Sequence, residues 1–191
     1  MNTGKDQFIC SEYEYSVNSR DIKEIINIYK LTFSCPPYTL TDFEIDAFTK
    51  SLNENSTNTD SKVLVVRKRS ESKILAFAYG YTCKCEGYFW SYVSKCFYNT
   101  PSQEMWLTNT DFQYLAEFCV LPAYQRIGIG GIMLVEWVLK MSANTCFLFV
   151  EKDASKAIRF YLKNDWHILG ENYNEKNKRL YLLMGLRTPK K

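Results

Sequence analysis

The sequence has little that would support a metal site or a disulfide framework. It contains one histidine, His167, and its seven cysteines are an odd number without a paired spacing. Cys83 and Cys85 form an isolated C-x-C, whereas a structural zinc site needs a second pair of cysteine or histidine ligands. We therefore predict that the protein binds no metal, and we interpret these two cysteines as neighbours on one face of a strand end.

Long hydrophobic runs are also absent. No apolar stretch approaches the roughly 20 residues that a membrane-spanning helix needs, and no apolar signal segment follows Met1. Because the cysteines suggest no pairing scheme either, we expect a cytoplasmic protein with free thiols. A membrane partner is not expected.

An excess of charge of one sign is missing as well. The 24 basic and 21 acidic residues leave a net charge of +3, and basic clusters occur at 67–69 and 190–191. Proteins that bind nucleic acid present a much more extensive basic surface. We therefore predict no nucleic-acid partner, although a few basic residues would suffice for an anionic cofactor.

The length of 191 residues suits one domain with a sizeable core. We predict a single domain over 1–191, with tails at 1–10 and 188–191. Aromatic residues are abundant, at 16%, and many fall in 84–111, which is long for a simple connection. This segment indicates a functional or partly helical insertion. Its rings could line an acceptor pocket, a core or a dimer surface, and the sequence does not choose among the three.

Hydrophobic periodicity predicts helices first, then strands, then strands alternating with helices, an order typical of an α/β fold on one mixed sheet. Ser19 and Thr41 are predicted N-caps. The predicted helices cover 21–31, 42–52, 132–141 and 156–163. The predicted strands cover 13–17, 63–67, 74–81, 114–121, 145–150 and 179–186.

One segment combines features that suit an anion. The strand predicted over 114–121 is apolar except for Glu117, and it leads to a turn that contains Gly128 and Gly130. Glycine lets the backbone approach a ligand closely. The helix that follows begins with N–H groups that lack helical partners and with the positive end of its dipole. Strand, glycine turn and helix N-terminus together indicate a phosphate site.

The same turn carries the polar Gln125 and the cationic Arg126. It contains neither of two common phosphate motifs. There is no G-x-x-x-x-G-K-[ST], which excludes a P-loop. There is no G-x-G-x-x-G, and the turn comes late in the chain, which argues against a Rossmann nucleotide site.

The run 125–130 resembles the Q/R-x-x-G-x-G/A signature of the GNAT acetyltransferases, and 119–124 resembles that family's lead-in. Downstream, 157–166 resembles the element A-x-x-F-Y-x-x-x-G-F/W, whose helix holds a tyrosine beside the sulfur of the cofactor. The resemblance covers roughly 62–186. It implies the family's fold, a single mixed, mostly antiparallel central sheet flanked by helices.

The resemblance also implies acetyl-CoA as a cosubstrate and no metal. In the family, the glycine turn binds the pyrophosphate through backbone amides, and the preceding strand pairs with the pantetheine arm. Ala154 replaces an asparagine that contacts the cofactor in many members, which leaves Ser155 as the candidate substitute. The other implied contacts are Phe118, Cys119 and Val120 for the pantetheine, and Gln125, Arg126, Ile127, Gly128, Ile129 and Gly130 for the pyrophosphate.

Two residues are candidates for proton transfer. The resemblance implies that Tyr161 returns a proton to the coenzyme A thiolate, and the alternative is a core tyrosine on an amphipathic helix. Glu117 lies where several members place a general base, and an acid in an apolar strand is costly to bury unless it is paired or used. The alternative for Glu117 is an ion pair or a solvent-facing carboxylate. Asp111 is a weaker candidate base, and Asp165 replaces the glycine of the tyrosine element.

The predicted activity is direct transfer of an acetyl group to a primary amine in a ternary complex. The acceptor is a small-molecule amine or a protein amino group, and the sequence does not choose between them. Two alternatives stay open, a non-catalytic acyl-CoA-binding or sensing module and an acyltransferase for longer acyl groups or an oxygen acceptor. Many family members dimerise, but no sequence feature decides whether this chain forms a homodimer.

Overall fold

The computed structural model describes residues 7–13, 20–54, 60–98, 103–106 and 110–188. No helix among them is both long and apolar enough to cross a membrane. The helices are α1 (Arg20–Phe33), α2 (Asp42–Glu54), α3 (Tyr88–Ser94), α4 (Gln103–Trp106), α5 (Ile129–Leu139) and α6 (Ser155–Leu162). The strands are β1 (Phe8–Glu12), β2 (Ser61–Lys68), β3 (Ile74–Cys83), β4 (Phe112–Val120), β5 (Thr145–Glu151), β6 (His167–Asn174) and β7 (Arg179–Arg187).

The strands form one sheet in the order β1-β2-β3-β4-β5-β7-β6. The pairs β1–β2, β5–β7 and β6–β7 are antiparallel, whereas β4 and β5 run parallel. Parallel neighbours need a crossover connection, and α5 lies in the segment that joins these two strands. The predicted mixed, mostly antiparallel α/β fold is confirmed.

The start of α2 follows from a local sequence signal. The backbone N–H of Thr41 donates to Oε2 of Glu44 at 2.9 Å, and the N–H of Glu44 donates to Oγ1 of Thr41 at 3.3 Å. This reciprocal pair is a capping box, which satisfies amides at the helix start. Thr41 therefore caps the helix as predicted, while the other predicted cap, Ser19, lies outside the described residues.

The N-terminal strand differs from the prediction. β1 lies at Phe8–Glu12, so part of the predicted tail pairs with β2, and positions 14–17 of the predicted strand lie outside the described residues. The side chains of β1 are mostly exposed or half-buried, because it is the last strand at one edge of the sheet. Backbone pairing alone defines such a strand, so its side chains carry little hydrophobic pattern.

Contacts divide the chain into two compact units, one of Met1–Gly80 with Glu117–Lys140 and one of Tyr81–Ala116 with Met141–Lys191. Whether 1–191 behaves as a single domain stays a prediction. In the first unit α1 contacts α2, and α5 packs against β1 and β2. The rings of Tyr29 and Phe48 stack there at 4.2 Å between centroids.

The second unit includes the insertion predicted at 84–111. The insertion is partly helical, since it contains α3 and α4. Its aromatic side chains pack against a buried cluster that includes residues of the strands β3, β4, β5 and β7. The buried members are Cys83, Val93, Cys96, Trp106, Phe112, Phe147, Leu169 and Leu183.

Candidate active site

The strand β4 leads into a turn built around a left-handed glycine. Gly128 is the N-cap of α5 and has φ 97° and ψ −9°. A Cβ at this position would meet no atom within 4 Å, so the requirement for glycine is conformational and not steric. Arg126, two residues earlier, also has a positive φ of 64°. The turn therefore depends on two residues in the left-handed region.

The first turn of α5 presents backbone amides that do not take part in helical bonds. Gly128 has no side chain to cap them, and the N–H of Ile132 donates to the carbonyl of Gly128 at 3.1 Å. The N–H groups of Ile129, Gly130 and Gly131 precede that bond. With the helix dipole, these three amides can bind an anion such as a phosphate.

The side chains of the turn have different roles. Gln125 faces the strand end, because its Nε2 donates to the carbonyl of Val120 at 3.1 Å and its backbone N–H donates to that of Pro122 at 3.4 Å. Arg126 is exposed, and its guanidinium has no hydrogen bond or ion pair within the described part of the chain. Ile127 is also exposed. Arg126 is thus the side chain that can approach an anion at this turn.

The ladder between β4 and β5 ends well before the turn. The ladder with β5 consists of two pairs, Gln113 with Cys146 and Tyr114 with Phe147. β4 continues beyond this ladder from Leu115 onward. A strand that continues beyond the end of a ladder can bind an extended ligand as though the ligand were an added strand.

Of the three residues predicted to face the pantetheine, Phe118 is half-buried and Cys119 is fully buried. Burial, with the nearby charge of Glu117, raises the pKa of the Cys119 thiol well above its usual range. Cys119 is therefore a small packing residue and not a nucleophile at neutral pH. The carbonyl of Val120 accepts from Oγ1 of Thr32 at 3.4 Å as well as from Gln125.

Glu117 is the only acid in β4 and is half-buried. Desolvation raises the pKa of its carboxyl to about 8, and the charge of Glu44 adds to the rise. Within the described residues its side chain has no hydrogen bond or ion pair, so the ion-pair alternative finds no partner there. A carboxyl with this pKa changes protonation near neutral pH, as a general base must.

Sequence reasoning missed Glu44. The capping threonine Thr41, three residues before Glu44, was a recognisable signal for the start of a helix. Nothing in the sequence indicated that the carboxylate of this capping box would face Glu117. Only the packing of α2 in the folded unit brings the two acids close enough to influence each other.

Asp111, the weaker candidate base from the sequence, already has hydrogen-bond partners. Asp111 accepts from Nζ of Lys84 at 2.9 Å and from the N–H of Cys85 at 3.1 Å, and the bond to Lys84 holds its pKa below the usual range. Asp111 therefore lacks the raised pKa that favours a general base. The His167 ring lies 5.8 Å from that of Trp106. No group of three metal-ligating side chains occurs in the described ranges.

The predicted tyrosine helix is α6 in the second unit. Tyr161 is buried, with 7% of its surface exposed, and its ring lies 5.4 Å from that of Trp166. Ser155 is exposed at the first position of the helix, after the buried Ala154. The other predicted site residues, from Glu117 to Gly130, belong to the first unit.

A family model matches the part of the sequence that contains these elements. The model of the Acetyltransferase (GNAT) family matches residues 22–166, a range that contains both the glycine turn and α6. The chain belongs to the GNAT acetyltransferase family. Comparison with curated proteins gave no significant match.

Solved structures share the GNAT fold. The Arabidopsis thaliana protein NAA60, in complex with a bisubstrate analogue, has a TM-score of 0.65 and 12% identity over 94% of this chain and 97% of its own. The Escherichia coli ribosomal-protein-S18-alanine N-acetyltransferase has a TM-score of 0.62 and 14% identity, with 96% of each chain covered. A GNAT acetyltransferase from Elizabethkingia anophelis with acetyl-CoA bound has a TM-score of 0.60 and 13% identity over 96% and 100%. At such identities the likeness shows the fold alone.

One departure from the GNAT sequence pattern is accommodated by the backbone. Asp165 stands where the family's tyrosine element has glycine, and it adopts a positive φ of 63°. Aspartate tolerates the left-handed region better than most residues with a side chain. The N–H of Trp166 still donates to the carbonyl of Tyr161 at 3.2 Å, so the turn after α6 closes despite the substitution.

Proposed function

We propose that this GNAT protein transfers the acetyl group of acetyl-CoA to a primary amine by direct transfer in a ternary complex. The observation that carries the proposal is the glycine turn, in which left-handed Gly128 leads from the end of β4 to the open amides at the start of α5. The acetyl-CoA bound to the Elizabethkingia relative supports the same cosubstrate here. No metal is required by this chemistry.

We assign the pyrophosphate to the amides of residues 129–131 and to the guanidinium of Arg126. The pantetheine arm would pair with the edge of β4 that continues past Tyr114. We propose that Phe118, Cys119 and Val120 face this arm. Ser155 stays a proposed cofactor contact, supported by its exposure at the start of α6.

In the proposed mechanism Glu117 accepts a proton from the acceptor ammonium, directly or through water. The neutral amine then attacks the thioester carbonyl, and as the C–N bond forms and the C–S bond breaks, the nitrogen releases its second proton to water. Backbone N–H groups near Cys119 would polarise that carbonyl. The departing thiolate takes a proton from the hydroxyl of Tyr161. The raised pKa of Glu117 supports its role, since it makes the carboxylate a stronger base than a solvent-exposed glutamate.

We further propose that the protein acts in the cytoplasm. The support is that all seven cysteines are free, which suits a reducing compartment. The acceptor is a small-molecule amine or a protein amino group. A homodimer stays an expectation drawn from the family.

A thiol-release assay tests the function. Acetyl-CoA is incubated with the protein and a panel of amines, and free coenzyme A is measured alongside the acetylated product. We expect release that depends on both enzyme and amine. Tight binding of acetyl-CoA by calorimetry without release for any amine would favour a non-catalytic binding module. A parallel panel of longer acyl-CoA donors and of alcohols tests the remaining alternative.

A further inference from the structure

The helix α2 presents one acid on its buried side. Phe48 and Leu52, four residues apart, are buried, and Glu44 lies one turn earlier on the same side of the helix. Glu44 is half-buried, whereas Asp42 and Asp46, the acids on either side of it in the sequence, are exposed. The helical period therefore directs Glu44 toward the protein and the neighbouring acids toward solvent.

This side of α2 packs against the sheet. The Phe48 ring stacks on that of Phe77 at 5.7 Å between centroids and lies 6.2 Å from that of Tyr79. The hydroxyls of Ser51 and Tyr79 are 3.0 Å apart. Phe77 and Tyr79 belong to β3, which neighbours β4 in the sheet. The helix that carries Glu44 therefore packs against the strand next to the one that carries Glu117.

Glu117 faces the same layer of helices. Cys119, two residues later on β4, is fully buried, and alternate residues of a strand point to the same side of a sheet. Thr32 of α1 lies within hydrogen-bonding reach of the Cys119 thiol, and the charge of Glu117 acts on that thiol. Because α1 contacts α2, the Glu117 carboxyl points toward the layer that these two helices form.

The carboxylate of Glu44 is held in place by its own helix. Its Oε2 accepts from the backbone N–H and from Oγ1 of Thr41, both at 2.9 Å. Two hydrogen bonds restrain the charge from turning away when Glu117 gains or loses a proton. Desolvation raises the pKa of the Glu117 carboxyl, and the charge of Glu44 raises it further. A negative charge nearby favours the protonated form of a carboxyl.

The other charged groups of the elements packed here are engaged or exposed within the described part of the chain. The hydroxyl of Tyr79 on β3 lies against Ser51, and burial raises the pKa of the Cys119 thiol on β4. The ion pairs of the two helices are Arg20 with Glu24, Asp21 with Arg67, and Lys50 with Glu54. The exposed charges of the two helices are Lys23, Lys30, Asp42 and Asp46.

We propose that Glu44 is a positioning residue for the reaction, and that its fixed negative charge favours the transfer of a proton from the acceptor ammonium to Glu117. This inference rests on the proposed acetyltransferase function. In the step an N–H bond of the ammonium breaks, an O–H bond forms on Glu117, and the nitrogen keeps the electron pair with which it attacks the thioester. Glu44 itself exchanges no proton and acts through Glu117.

Glu44→Gln tests the charge with little change in shape. Glutamine also forms a capping box with Thr41, so α2 should begin at the same residue. Without the charge Glu117 should lose its proton more readily, so kcat/KM should rise at a pH lower by at least about half a unit. With the amine that the wild type acetylates fastest, kcat/KM of the variant should be about twofold higher on the acidic side. At the high-pH plateau it should be about twofold lower, because Glu117 is then a weaker base.

Two further variants provide controls. Asp46→Asn removes one negative charge from the exposed side of the same helix and should leave the pH–rate profile unchanged. In a Glu117→Gln background, Glu44→Gln should change neither kcat nor its pH dependence, because the group through which it acts is already gone. An equal shift for Asp46→Asn would overturn the proposal. A higher KM for the amine in Glu44→Gln, with an unmoved profile, would also overturn it by indicating direct contact with the acceptor.

A titration of the Glu117 side chain by NMR measures the same influence without any reaction. In the full chain, the midpoint for the Glu117 carboxyl should be lower in Glu44→Gln than in the wild type by at least about half a pH unit. Asp46→Asn should not move it. An unmoved midpoint in Glu44→Gln overturns the proposal whether or not an amine is acetylated. A lower midpoint in a protein that releases no thiol with any amine would instead overturn the proposed catalysis, and with it the catalytic role of Glu44, while the electrostatic coupling of the two acids would stand.

Discussion

The side chain of Gln125 reaches back to the end of β4, where its Nε2 donates to the carbonyl of Val120 at 3.1 Å. The same carbonyl accepts from the hydroxyl of Thr32 on α1 at 3.4 Å. These two bonds attach the start of the glycine turn to the strand and the strand to the helix. The turn that we assign to the pyrophosphate is therefore positioned by side chains that do not need to touch the cofactor.

Replacing Gln125 with Ala should weaken acetyl-CoA binding through this positioning. One neutral hydrogen bond is lost, so we expect the free energy of unfolding to fall by about 1 kcal/mol. The Kd for acetyl-CoA should rise several-fold because the turn is less well ordered. Thermal unfolding and calorimetry measure both effects. A stability loss with unchanged Kd would show that Gln125 supports only the fold.

Two substitutions of Gly128 test whether the group that binds at the glycine turn is negatively charged. Aspartate and asparagine have nearly the same shape, and both tolerate a left-handed backbone better than most side chains. Gly128→Asp should raise the Kd for acetyl-CoA at least tenfold more than Gly128→Asn does, because only the former places a negative charge beside a pyrophosphate. Equal Kd values for the two folded variants would contradict the assignment of the phosphate site.

Glu117→Gln should reduce kcat by about 100-fold or more, in the usual range for loss of a general base. Wild-type kcat/KM should rise with pH up to about 8, where the Glu117 carboxyl ionises. The kcat/KM of the variant should not show this rise. Acetyl-CoA affinity should be nearly unchanged. If the kcat/KM of the variant still rises with pH as that of the wild type does, Glu117 is not the base, and an ordered water takes that role.

The same substitution should change stability in a direction set by the pKa. The folded-state pKa of Glu117, about 8, lies above its ordinary value of 4.5. Folding therefore favours the protonated form of Glu117. The contribution of this group to the free energy of unfolding is complete below pH 4.5 and is lost as the pH rises through 8. Glutamine cannot ionise, so the variant should gain on the wild type by on the order of 4 kcal/mol between pH 4.5 and 8.5. Thermal melts across this range measure the gain. A variant less stable than wild type at pH 8.5 would indicate an ion pair instead.

Tyr161→Phe tests the proton donor. The ring packs beside Trp166, so its loss would leave a cavity, whereas phenylalanine keeps the ring and removes only the hydroxyl. We expect kcat to fall at least tenfold with the Kd for acetyl-CoA nearly kept. Single-turnover measurements separate this step from product release. Unchanged kcat would return Tyr161 to the role of a packing residue.

The sequence by itself determined the parts of this protein that short-range physics encodes. The strand that ends before Pro122, the turn with Gly128 and the helix after it are adjacent in the chain, so their apolar pattern and glycine spacing predicted them directly. The capping box of Thr41 and Glu44 spans three positions and was equally local. These local elements also carried the resemblance to the GNAT family, which the family model confirmed.

Only the tertiary structure decided what depends on residues far apart in the chain. β1 lies at Phe8–Glu12 because an edge strand is selected by backbone pairing with β2, which its side-chain pattern does not reveal. The pKa of Glu117 in the strand β4 depends on desolvation and on Glu44 in the helix α2. Asp165 occupies a left-handed position because the surrounding turn imposes it. Pairing, desolvation and imposed backbone angles arise only when the chain is folded, so no local pattern could have predicted them.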